Sequence, residues 1–361
     1  MENLEYFYNN PPLINKFIDR KLKITGGRVL ISGALNSGKT YILISELLKF
    51  KKDEFLYINM DDLRVKKENG LLDLKEFIKE HKDIKCIAID NVDDKNLNIL
   101  KNLNCEKILL STTSNSLNLK TFQTIKLLNL DFEEYIAFNK RTNELGAILG
   151  SFLTEGNGAK NSFLNPFELI IYMQKILKAK YSDIEISVLK ECVEFVNLNF
   201  SALQIYKGLK DIMKISKDSV YKTIDKFEDE NLIFFVPKFA PNSNLKRLYF
   251  LDFCLPDNLS FKKDFQKKLT NALLCELLRL DKQVYFTDDL DFYMPELGYG
   301  FLVIPFTSSD LIFLKFKKIF EKLKELEVQK LYVISMANSG EMSKEGIKCE
   351  ILPFWQFALG M

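Results

Sequence analysis

Gly33-Ala34-Leu35-Asn36-Ser37-Gly38-Lys39-Thr40 is the stretch whose reading decides the fold. It has the form G-x-x-x-x-G-K-T, a loop whose backbone N–H groups curl around a phosphate. Residues 28–32 (RVLIS) before it predict a short buried strand. Residues 41–50 after it predict a helix with Ile42, Leu43, Leu47 and Leu48 as apolar positions. Strand, glycine loop and helix start form the setting that such a loop needs. Gly33 and Gly38 keep side chains out of the way, and the helix start adds partial positive charge. Lys39 is placed to reach the β- and γ-phosphates and Thr40 to ligate Mg²⁺. With Asn36 and Ser37, these residues are the predicted nucleotide-binding set, and the predicted cofactors are ATP and Mg²⁺.

Working outward, apolar strands are predicted at 54–59, 85–89, 108–110 and 125–128, with helices at 13–22, 71–81 and 96–103. Continuous apolar strands alternating with helices predict an α/β fold, a parallel sheet covered on both faces. Asp90 closes the strand at 85–89, where a carboxylate can hold the Mg²⁺ hydration shell. Thr40 and Asp90 are thus the predicted metal residues. ATPases of this broad class usually follow that aspartate with a glutamate that activates water. Here the next residue is Asn91, which orients water but takes no proton. Asp90 and Asn91 are the predicted catalytic positions, with Asp93 and Asp94 nearby as substitutes. The run 111–116 (STTSNS) offers hydroxyls and amides to a γ-phosphate, or is a polar turn.

Downstream, Asn165-Pro166 predicts a helix start, with the helix at 167–180. Three helices are predicted at 186–196, 201–213 and 217–230, the last with Val220, Ile224 and Phe227 as its stripe. Strands at 232–236 and 248–251 follow. Three helices and a hairpin describe a winged helix. Lys217, Lys222 and Lys226 lie on or near the third helix and Lys246-Arg247 on the wing, but from 183 to 250 there are ten basic and ten acidic residues, whereas a DNA-binding module normally shows a basic face; DNA reading and protein packing both stay open. The last part predicts a helix at 264–280, strands at 284–286, 291–293, 301–306, 331–335 and 350–352, and a helix at 314–326: a small α/β unit.

The 361 residues suffice for two or three domains, and a net charge of +2 supplies no global attraction to nucleic acid or an anionic membrane. Six scattered cysteines without C-x-x-C argue against a zinc ribbon or a disulfide framework and suit a reducing cytosol. With His81 as the only histidine, a Ser-His-Asp triad is not expected. The opening ten residues do not read as a signal peptide, and no run approaches 18 apolar residues.

Several stretches together resemble a family of prokaryotic AAA-type P-loop ATPases with a winged helix and a degenerate PD-(D/E)xK nuclease-like C-terminal domain. They are the loop at 33–40, the segment 57–64 (YINMDDLR), the strand ending at Asp90 and the run 112–116. Residues 130–135 (LDFEEY) are similar to the family's "PLSFEEF", and 219–233 to its "TVxxYLxxLExxxLI". The resemblance spans nearly the whole chain. The family has a glutamate at the position of Asn91 and often a Gly-Arg before "PLSF"; here 119–123 (LKTFQ) has no arginine. Lys120 supplies charge there without a bidentate fork. The resemblance implies that Glu276 and Asp291 are remnants of a nuclease pair, but 302–306 (LVIPF) lacks the lysine.

The sequence therefore predicts a P-loop ATPase domain at 1–150, a helical segment at 151–182, a winged helix at 183–250 and a degenerate nuclease-like α/β domain at 251–361. The predicted function is that of a cytoplasmic ATP-binding protein using Mg-ATP as a conformational ligand, with slow or partner-dependent hydrolysis and a protein partner or homo-oligomer. The alternatives are an active ATPase remodelling enzyme and a DNA-binding regulator. No membrane association is predicted.

Overall fold

The structure, a computed structural model, describes residues 2–12, 18–65, 71–101, 103–139 and 141–360, without the side chains of 96–98. It divides into two compact units, Met1–Asn129 with Asp229–Asn231, and Leu130–Glu228 with Leu232–Met361.

The first unit runs α1 (Glu2–Asn9), β1 (Arg28–Gly33), α2 (Lys39–Leu47), β2 (Phe55–Asn59), α3 (Leu74–Glu80), β3 (Cys86–Asp90), α4 (Leu97–Lys101), β4 (Lys107–Thr112) and β5 (Gln123–Leu127). The strands form one parallel sheet in the order β2-β3-β4-β1-β5. Successive side chains alternate between its faces, and both faces are apolar. Val29, Ile31, Ala88 and Leu109 pack with Ile42, Leu43 and Leu47 of α2. Leu30, Ile58, Ile87, Ile89 and Leu110 pack with Leu4 and Phe7 of α1, Leu74 and Phe77 of α3, and Leu100 of α4. The order puts β4 between β1 and β3, so residues at the end of β4 lie between the glycine loop and Asp90.

Two expectations change here. The helix predicted at 13–22 lies partly outside the described residues, and 18–22 are not helical. The first ten residues, for which the sequence predicts no element, hold α1; Leu4 and Phe7, three apart on one helix face, are buried, and Tyr8 packs against the same core.

The second unit begins with α5 (Phe132–Phe138), α6 (Leu145–Glu155) and α7 (Pro166–Lys180). Asn165 caps α7 in a capping box with Glu168, as Asn-Pro predicts. Next come α8 (Asp183–Glu194), α9 (Ala202–Lys210) and α10 (Lys217–Asp229), then the antiparallel pair β6 (Ile233–Pro237) and β7 (Lys246–Phe250). Asn197 and Phe200, between α8 and α9, donate backbone N–H bonds to Leu248 and Lys246 of β7. Val220, Ile224 and Phe227 of α10 enter the core that these elements share.

The chain ends with α11 (Leu255–Leu259), α12 (Phe265–Leu277), β8 (Phe292–Met294), β9 (Tyr299–Val303), α13 (Ser309–Glu325), β10 (Lys330–Ser335), β11 (Gly340–Lys344), β12 (Ile347–Pro353) and α14 (Phe354–Leu359). The second sheet has the order β11-β12-β10-β9-β8, parallel across β12, β10 and β9 and antiparallel at both edges. The strand predicted at 301–306 ends at Val303, and Pro305, with no N–H to donate, follows. Residues 284–286 make only single bridges rather than a strand.

The boundary expected at residue 150 falls at 129/130. Phe132 and Phe152 pack on each other with centroids 5.3 Å apart, and Phe152 packs on Phe253 at 4.9 Å. These rings tie α5 and α6 to the later chain. The boundary expected at 250/251 lies inside one unit: Asn271 of α12 accepts the Phe250 N–H at 2.9 Å and donates to the Phe250 carbonyl at 2.6 Å.

Candidate functional site

β1 delivers the chain into the loop, and α2 starts at its far end with Gly38 as N-cap at φ 94°. A left-handed conformation there suits glycine. Gly33 is constrained differently: a Cβ would lie 2.5 Å from the Leu127 carbonyl of β5 and 3.1 Å from Ser37 Oγ. Asn36 also has positive φ, at 64°, which asparagine tolerates better than most residues. Lys39 is buried and folded over the loop, donating to the Gly33 and Ala34 carbonyls at 2.8 and 2.7 Å. Ser37 Oγ is fully buried without a hydrogen-bond partner. Such an orphan hydroxyl costs free energy, and a phosphate oxygen would satisfy it.

Asp90, at the end of β3, is fully buried. Its Oδ2 accepts from Thr40 Oγ1 at 2.5 Å and from the Tyr57 hydroxyl at 3.1 Å. Its Oδ1 accepts from Ser111 Oγ. Burial first, and the neighbouring Asp90 second, push the Tyr57 phenol well above the ordinary tyrosine range. Asn91 sits at φ 61°. Its N–H donates to Ser111 Oγ at 3.0 Å, and its side-chain amide donates to Asn59 Oδ1 at 3.1 Å. The Asn91 amide oxygen thereby remains as the acceptor end of that side chain.

Gly33, Asn36, Ser37, Gly38, Lys39 and Thr40 are continuous, and the fold adds Asp90 and Asn91 from β3. Asp93 and Asp94 stand further on, where Asp93 Oδ1 accepts the Lys95 N–H at 3.1 Å. The run 111–116 is committed to protein partners. Ser111 bonds Asp90, and Ser114 Oγ donates to Asp229 at 2.7 Å. Asn115 donates to Asn231 at 2.9 Å. Asp229 and Asn231 belong to the short later stretch that completes the first unit.

Two residues escaped the sequence reading. Arg20, buried, donates to the Ser37 carbonyl at 2.6 Å and to the Leu128 carbonyl at 2.8 Å, bracing the loop from behind. Within the predicted helix at 13–22, Arg20 reads as an ordinary solvent-facing charge. Tyr57 stood inside the segment 57–64, but only the sheet pairing of Asn59 with Asp90 shows that its ring lies beside that carboxylate.

The donor set fits a phosphate chain with Mg²⁺. Ser37 Oγ and Lys39 Nζ supply donors. Thr40 with Asp90 supplies the one or two protein oxygens that Mg²⁺ takes beside phosphates and water.

A second cleft, of about 360 Å³, lies in the second unit and is lined by Asp291, Arg247, Gln266, Thr307 and Lys315 among others. Asp291 Oδ2 accepts the Val303 N–H at 2.8 Å. Burial raises the Asp291 pKa, against the opposing effects of that N–H, Arg247 and Lys315. Glu276, the other residue of the implied acidic pair, is buried and accepts the Phe132 N–H at 3.0 Å. Among the described residues no group of three or more His, Cys, Asp or Glu could hold a metal ion.

No known family profile matches the chain. It is 26% identical to the uncharacterized protein MJ1544 of Methanocaldococcus jannaschii, over 99% of this chain and 94% of that one. Among solved structures, the Walker-type ATPase PABY2304 of Pyrococcus abyssi is similar at 12% identity and a TM-score of 0.43, over 64% of this chain and 90% of that one. The Aeropyrum pernix ORC1 protein, solved in complex with DNA, is similar at 12% identity and a TM-score of 0.31, over 66% and 87%.

Proposed function

We propose that the protein binds Mg-ATP in the loop at 33–40 and uses it as a conformational ligand, with slow or partner-dependent hydrolysis. The observation that carries this reading is the Thr40–Asp90 contact beside the orphaned Ser37 hydroxyl. Fifty residues of chain fold to bring a metal-ligating hydroxyl onto a buried carboxylate at the mouth of a phosphate cradle. Mg-ATP bound there would contribute the phosphate chain through ATP and the cation through Mg²⁺. The chain's own residues do the rest. Backbone N–H groups, Ser37 and Lys39 hold oxygens, Thr40 and Asp90 hold the cation's shell, and Asn91 orients water through its amide oxygen.

Without a carboxylate at 91, proton acceptance from that water is lost, a part that contributes about 10²–10⁴-fold when present. A ligand that binds one arrangement better shifts the population toward it without being consumed. Steady-state phosphate release from the pure protein tests this. Turnover far below about 1 s⁻¹ is expected, against typical enzymes at 1–10³ s⁻¹; brisk turnover without any partner would favour a remodelling enzyme instead.

We read α8–α10 with β6–β7 as a winged helix used for protein packing. Two of its basic residues are engaged within the protein: Lys226 pairs with Glu185 at 2.7 Å, and Lys246 lies over the Phe235 ring at 3.5 Å. Salt-dependent duplex binding would contradict this. The cleft around Asp291 is proposed to be without nuclease activity, since no lysine stands on β9; metal-dependent cleavage lost in Asp291→Ala would overturn that.

A further inference from the structure

We propose that Tyr57 is a positioning residue for the divalent cation that accompanies the bound nucleotide, acting through Asp90; this rests on the nucleotide reading above. A carboxylate presents about four lone-pair directions. In Asp90 two on Oδ2 are taken by Thr40 and Tyr57, and one on Oδ1 by Ser111. The three hydroxyls come from α2, β2 and β4. Their roles differ: Thr40 is the cation's own ligand, whereas Tyr57 and Ser111 approach the carboxylate from either side and set its rotation.

The strand register explains why Tyr57 reaches this point. Tyr57 pairs with Ala88 and Asn59 with Asp90. The phenol, two residues back on the adjacent strand, reaches Asp90 Oδ2 across the diagonal, within the range of an aromatic side chain. A tyrosine hydroxyl taken out of water needs a partner, and Asp90 is the one it has. Outer groups that orient a metal's ligands are typically worth 10–100-fold in metal affinity.

Magnesium titration of a fluorescent ATP analogue bound to the full chain tests the proposal. Tyr57→Phe keeps the ring and removes only the hydroxyl. The expected result is nucleotide affinity in EDTA within about twofold of wild type, with the Mg²⁺ midpoint raised roughly tenfold. Tyr8→Phe is the control, because Tyr8 also spends its hydroxyl within the first unit, on the Asp53 carbonyl at 3.0 Å. It should leave the midpoint unmoved. A Tyr57→Phe midpoint within about twofold of wild type, or an equal shift in Tyr8→Phe, overturns the proposal while leaving nucleotide binding intact. A wild type that binds no nucleotide at any Mg²⁺ concentration overturns the nucleotide reading, and this proposal with it.

Discussion

At the scale of single residues, Asn91 shows two demands meeting. Its φ of 61° is a conformation that asparagine accepts and most side chains resist. Its amide also bridges to Asn59. Asn91→Glu should therefore cost about 1 kcal/mol of stability and still raise phosphate release at least tenfold, because a base is restored. Unchanged turnover in Asn91→Glu, with loss in Asp93→Asn or Asp94→Asn, would place the base further along the loop. The residue type at 91 was legible in the sequence; its backbone conformation was not, since nothing local in the sequence around Asn91 requires a positive φ.

Asp252, in the second unit, carries a pH dependence. Burial raises its pKa to about 6, against the opposing Cys254 N–H and Asn161 amide. The neutral form is favoured in the folded state. Its contribution to stability is thus full below about pH 4 and is lost as pH rises through about 6, at most about 3 kcal/mol in all. Asp252→Asn, neutral throughout, should gain on wild type between pH 4 and pH 7 in denaturant melts. A stability difference that stays flat across that range would contradict the assignment.

At the scale of elements, the sheet places the chemistry. β4 inserts between β1 and β3, which sets Ser111 against Asp90, and β5 flanks β1 so closely that only glycine fits at 33. Gly33→Ala should cost roughly 1–3 kcal/mol through overpacking and lose nucleotide binding, because the Leu127 carbonyl is backbone and cannot swing away. Thermal melts with and without Mg-ATP check both parts; a variant that melts and binds like wild type would show that the loop has slack. The strand and helix around the loop were readable because continuous apolar runs report burial. Strand order was not, because parallel pairing depends on contacts far apart in sequence. Neither β11 nor α5 was foreseen: β11 is mostly exposed with no apolar alternation, and α5 was read only through its likeness to a family stretch.

At the scale of the whole molecule, the proposed reading has residues 33–40 and Asp90 hold a nucleotide, with Asn91 standing where a water-activating glutamate is usual. No helix among the described residues is long and apolar enough to cross a membrane. The four-part division read from the sequence meets two compact units instead, because rings and amides such as Phe152 and Asn271 knit the later segments together. Sequence texture marks where elements change character; only packing shows which segments share a core. The central claim is nucleotide capture by the loop at 33–40, and calorimetric titration of Mg-ATP into the pure protein tests it most directly. The expected result is one saturable site in wild type and a loss of at least about 2 kcal/mol, roughly thirtyfold in affinity, in Lys39→Ala. A folded wild-type protein that takes up no Mg-ATP, or a Lys39→Ala variant that binds it as tightly, would contradict the account.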